Sequence, residues 1–128
     1  MTPEQKIKHA VLQRAHNNSD ITLPGPVTAD NVETLYDANN QDYELQDATQ
    51  EMRSGEVETG LKCEWSRHYE SKAVAAKMPD GSWVGWTYWY GGGKHGEPEA
   101  IDWMNEAYDL DCLEEEKLVV VRTFSLKE

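Results

Sequence analysis

The stretch Lys72-Ala73-Val74-Ala75-Ala76-Lys77-Met78-Pro79-Asp80-Gly81-Ser82-Trp83-Val84-Gly85-Trp86-Thr87-Tyr88-Trp89-Tyr90 decides the fold. Val74, Ala76 and Met78 share one parity, Pro79-Asp80-Gly81 is a hairpin signal, and the chain returns through an aromatic strand from Trp83 to Tyr90. Val84, Trp86, Tyr88 and Tyr90 line one face of that strand, with Trp83, Thr87 and Trp89 on the other, so both faces want cover. The strand runs directly into Gly91-Gly92-Gly93-Lys94-His95-Gly96-Glu97-Pro98, a glycine loop before an expected helix start. Successive glycines free the backbone to aim its N–H groups at one point, and such a concavity at a helix N-terminus holds anions.

N-terminal to the hairpin, Val57, Thr59, Leu61, Cys63 and Trp65 alternate with polar residues, the pattern of a half-buried strand. The phase is lost between Arg67 and Ser71, which predicts a kink or two separate strands. Before them lie three expected helices. Thr2-Pro3-Glu4 opens the first, with Ile7, Ala10, Val11 and Ala15 as a narrow apolar stripe and Asn17-Asn18-Ser19-Asp20 as its end. Asp30 and Glu33 resemble a capping box for the second, which carries Val32, Leu35 and Tyr36. Leu45, Ala48 and Met52 mark a third, closed by Gly55.

On the other side, Pro98 is expected to open a last helix with Ala100, Ile101, Trp103, Met104, Ala107 and Tyr108 as its apolar face, and Leu118-Val119-Val120-Val121, running on to Phe124, reads as a buried closing strand. The predicted order is ααα-ββ(β)-α-β. This is an α+β class with short N-terminal helices and a mostly antiparallel sheet of three to four strands covered by one C-terminal helix. At 128 residues the chain fits a single domain, 1–128, with a helical part at 1–55 and a sheet-plus-helix core at 56–128. Nine of the eleven tryptophans and tyrosines fall in the second half, which places the folding centre there and leaves the first half thinner in core material.

The net charge of −12 argues against binding to duplex nucleic acid or an anionic membrane surface, both of which require clustered cations. The two cysteines, Cys63 and Cys112, are too few for a disulfide framework or a four-ligand zinc site, and Cys63 alternates inward as a small buried residue. A polar opening without an apolar signal core leads to the expectation of a cytoplasmic protein. A homo-oligomer stays open.

The acids are blocked into two segments. Residues 28–60 hold nine carboxylates against Arg53, and residues 97–116 hold nine with no Lys or Arg. At helical spacing, Asp30, Glu33, Asp37, Glu44, Asp47, Glu51, Asp102, Glu106 and Asp109 would form stripes suited to a basic groove on a partner. The alternative is a solvated surface that maintains solubility. At the glycine loop, Gly91, Gly92, Gly93, Lys94 and His95 are candidates to hold a small anion, with Trp86, Tyr88 or Trp89 stacking on a nucleotide base. Neither phosphate-loop spacing is present, and Glu97 and Glu99 compete for the same position. His68 beside Glu70 and His95 beside Glu97 lack an identifiable orienting partner, so no catalytic set is assigned. The four histidines lack metal-ligand spacing, and no metal or cofactor is expected.

The run KAVAAKMPDGSWVGWTYWYGGGKHGEPEAIDWMNEAYDLDC, followed by VVVRTF, resembles a small protein carried by bacteriophages and prophages, over about the last half of the chain. The resemblance brings no activity and no site residue. It implies a context in which small acidic proteins bind and disable a host factor. The sequence therefore leads to the expectation of a non-enzymatic acidic protein that occupies a basic surface on a host protein, with a binder of a small anionic ligand as the alternative.

Overall fold

A computed structural model describes residues 1–127. Helix α1 spans Pro3–Asn17, α2 Val32–Asn39 and α3 Gln46–Arg53; strands β1 (Val57–Glu58), β2 (Glu70–Lys77), β3 (Trp83–Tyr90) and β4 (Tyr108–Leu110) follow. The strands form one antiparallel sheet in the order β1-β2-β3-β4, so the class is α+β.

Helix α1 starts as its sequence dictates. The Thr2 hydroxyl accepts from the Gln5 N–H, the Gln5 side chain accepts from the Thr2 N–H, and Pro3 stands where no N–H is needed. Its buried stripe is Ile7, Ala10, Val11, Leu12 and Ala15. Helix α2 is not capped by Asp30 and Glu33. Asn31 caps it without a side-chain bond to the helix, and its amide oxygen instead accepts from the Thr28 N–H. The hairpin between β2 and β3 closes at Pro79-Asp80-Gly81, where the Asp80 carboxylate accepts from both the N–H and the hydroxyl of Ser82. Those two bonds hold the Asp80 carboxyl below its ordinary value.

Register assigns the faces. Val74 opposes Trp86 and Ala76 opposes Val84, and this face packs against α1, α3 and Trp103 in the main core. Trp86 is wholly buried, its ring centroid 5.1 Å from that of Trp103, and its indole N–H donates to the Arg53 carbonyl at 2.8 Å. The Arg53 guanidinium in turn donates to the Trp89 carbonyl at 2.7 Å, fastening the end of α3 to β3. The core draws as much on Ile7, Val11, Leu12, Val32, Leu45 and Ala48 as on the aromatic strand, so the first half is not the thin half.

Three expectations are overturned. The strand from Val57 to Trp65 is two residues long; Gly60 adopts φ +73°, and beyond it Leu61 and Trp65 are exposed while Cys63 is half-buried. The helix at Pro98 is replaced by two three-residue 3-10 turns, Pro98–Ala100 and Met104–Glu106, followed by β4. Its apolar residues are used one at a time: Trp103 packs on Trp86, the Tyr36 hydroxyl lies 4.0 Å from the Met104 sulfur, and Tyr108 and Leu110 close over Gly85. Gly85 is the enabling residue, because a Cβ there would stand 2.7 Å from both side chains. Finally, Leu118–Phe124 forms no strand and lies in solvent.

Candidate functional site

The glycine loop is built around a tyrosine. Gly91, Gly92 and Gly93 take φ of +76°, +89° and +70°, and a Cβ on Gly92 would fall 2.5 Å from the Tyr69 ring. The Tyr69 hydroxyl accepts from the Glu97 N–H at 3.3 Å, and Gly96 folds back onto Gly92. The concavity expected to receive an anion is thus filled by Tyr69 and Gly96, with the Glu70 carboxylate alongside Gly91. Lys94 and His95 sit outside it, exposed, on a 3-10 turn from Gly93 to His95. The three-residue turn at Pro98 supplies no helix dipole.

The expected stacking residues separate. Trp86 and Trp89 are buried and offer no ring face to a ligand. Tyr88 is half-buried and stacks on Tyr90 at 5.3 Å; Arg53 lies 5.0 Å from the Tyr88 ring and Lys72 5.3 Å from the Tyr90 ring. Lys72 is also bound to Glu58 at 2.7 Å, a hydrogen bond that raises its pKa.

What sequence reading missed lies next door. Trp65, 83% exposed, lines an open cleft of about 500 Å³ with Arg67, His68, Tyr69 and Tyr90. Strand-like alternation had directed Trp65 inward; the signal against it was Gly60, which ends the strand. A further depression, about 640 Å³, lies between α1 and the hairpin around Gln13, Arg14, Asn17 and Lys77. It contains none of the expected ligand residues.

Of the nine carboxylates expected to face a partner, three are neutralised by α1. Lys8 holds Glu33 at 2.6 Å, Arg14 holds Glu51 at 3.1 Å and Lys6 holds Asp109 at 2.8 Å. The hydrogen bond to Asp109 raises the Lys6 pKa; burial lowers that of Lys8, but Glu33 and Glu4 outweigh it and the net shift is upward. Glu44 is half-buried and accepts from the Asp42 N–H at 2.9 Å. Asp30, Asp37, Asp47, Asp102 and Glu106 are exposed and make no ion pair among the described residues. Asp37, Asp47 and Glu106 are carried by α2, α3 and the turn Met104–Glu106, each of which packs on α1, while Asp30 and Asp102 lie in the connections beside them.

Neither His68 with Glu70 nor His95 with Glu97 forms a hydrogen bond among the described residues. Both cysteines are free thiols, and Cys63 donates to the Ser71 hydroxyl at 3.5 Å. Among the described residues no group of three His, Cys, Asp or Glu is placed to hold a metal, and no helix is long and apolar enough to cross a membrane. Compared with family models, with curated proteins and with solved structures, the chain matches none.

Proposed function

We propose that this chain is a non-enzymatic acidic binding protein, of phage type, that occupies a basic surface on a host protein. One observation carries the reading. Asp30, Asp37, Asp47, Asp102 and Glu106 stand in solvent with no cation paired to them among the described residues, while the lysines and arginine of α1 are engaged by other acids. Carboxylates held on packed elements present charge with little ordering cost on binding. Like charges kept apart by a rigid scaffold also steer a cationic partner over a distance set by ionic strength. Affinity capture from a bacterial lysate followed by a salt gradient tests this. The partner should elute as salt rises, and a variant with Asp30, Asp37, Asp47 and Asp102 changed to Asn and Glu106 to Gln should capture none. A partner held equally by that variant, or unaffected by salt, would sink the proposal.

The second reading, a binder of a small anionic aromatic ligand, is favoured by the cleft with Trp65, Arg67 and His68 rather than by the filled glycine loop. Thermal shift against a nucleotide panel tests it. A shift abolished by Arg67→Ala but not by Lys94→Ala supports the cleft, and no shift with any nucleotide removes the reading.

A further inference from the structure

An open groove on the second face of the sheet and residues 117–127 have complementary chemistry. On the face opposite the main core, Ala75 floors an apolar groove of about 450 Å³ walled by Val57, Leu61, Trp83 and Leu110. Its margin is acidic, with Glu58, Asp111 and Glu114. Residues 117–127 form the opposite surface. Leu118, Val119, Val120, Val121, Phe124 and Leu126 each keep at least 75% of their surface in solvent, and the segment carries Lys117, Arg122 and Lys127 with no acid. It holds a charge of +3 in a chain of −12, so the remainder stands at −15 (−12 minus +3). An apolar, β-branched, basic segment thus matches in chemistry an apolar groove with an acidic margin.

The connection decides whether a chain fills its own groove. Asp111 to Glu114 already line it, and only Glu115 and Glu116 separate that lining from Lys117. Reversing the chain over Glu114-Glu115-Glu116-Lys117 requires a tight turn with no Gly, Asn, Asp or Pro, and adjacent carboxylates repel and extend the backbone. The segment is therefore directed away from its own groove.

We infer that residues 118–124 of one chain occupy the groove of a second copy, and reciprocally, so that the protein is a tail-exchanged dimer. The exchange is two-fold symmetric and self-limiting, since each chain supplies one segment and one groove. It removes the exposed apolar surface that otherwise marks an association site.

Sedimentation velocity over a concentration series measures the mass of the full chain, with a dimer expected. Val119→Glu with Val121→Glu on the segment, and Leu61→Glu on the groove wall, replace exposed side chains and should each raise the dimer Kd by about 100-fold or more while leaving the far-ultraviolet spectrum unchanged. Nuclear Overhauser contacts between labelled and unlabelled chains should join the Val119 and Val121 methyls to the Trp83 indole. A wild-type protein that is monomeric throughout, contacts confined to one chain, assemblies of no fixed stoichiometry, or variants with unchanged mass would each overturn the inference.

Discussion

Lys72-Ala73-Val74-Ala75-Ala76-Lys77 and Lys117-Leu118-Val119-Val120-Val121-Arg122 have the same design, four apolar residues between two cations. The first is the centre of the sheet, with Ala73 to Ala76 all buried between β1 and β3. The second, more β-branched and more apolar, lies wholly in solvent. Strand propensity therefore did not decide which of them became a strand. Segment 72–77 is followed by Pro79-Asp80-Gly81, which returns the chain against it, whereas segment 117–122 is preceded by three glutamates, which lack turn-forming chemistry. Apolar pattern states what a segment can do, and the adjoining turn chemistry states with whom.

The largest test of that comparison lies in the partner of the first segment. Trp86→Ala removes the side chain opposite Val74 and the bond to the Arg53 carbonyl, and should cost about 3–5 kcal/mol in urea unfolding. A loss below ~1 kcal/mol would mean that β2 is not held by its neighbour. Gly85→Val places a side chain where Tyr108 and Leu110 close over the sheet; it should cost about 1–3 kcal/mol, with increased hydrogen exchange confined to β4. Uniform exchange increase would show that β4 is integral to the core.

The turn comes next. Asp80→Ala deletes two bonds to Ser82 and should cost roughly 1 kcal/mol near neutral pH. The Asp80 carboxyl titrates lower folded than unfolded, so the stability it contributes is present above the unfolded value of 3.8 and is lost as pH falls through the folded value. Wild type and variant should therefore converge in acid and separate above about pH 5. Conversely, Glu115→Asn with Glu116→Gly supplies the missing turn ahead of the second segment, and should raise hydrogen-exchange protection of Val119 to Val121 by about tenfold at dilutions where the chain is monomeric. The smallest effect is expected for Val120→Ala, within ~0.5 kcal/mol in dilute protein because the side chain is exposed.

The same contrast explains what could be read from the sequence. Helix α1, helix α3 and the 70–90 hairpin were legible because their signals are local: Thr2-Pro3-Glu4, a three-and-four apolar stripe, and a Pro-Asp-Gly turn. Residues 98–108 were not, because helical spacing of Ile101, Trp103, Met104 and Ala107 is a local statement that tertiary partners overrode. Trp103 is drawn to Trp86, and the absence of a side chain at Gly85 admits Tyr108 to the sheet. Gly85, inside an otherwise bulky aromatic strand, was the legible trace of that close approach. For the candidate site, the acidic segments were plain in the sequence, but their partition was not. That Lys6, Lys8 and Arg14 reach Asp109, Glu33 and Glu51 depends on helix packing across long sequence separations. At the glycine loop, the sequence did not show that Gly92 packs against the Tyr69 ring, a contact that depends on the distant residue Tyr69.

Trp65 gives the molecule a built-in optical reporter. Its indole is 83% exposed while Trp86, Trp89 and Trp103 are enclosed and Trp83 is half-buried, so a dissolved quencher such as iodide reaches it before the others. Light emission from that ring will register anything that settles over the cleft, with no label attached.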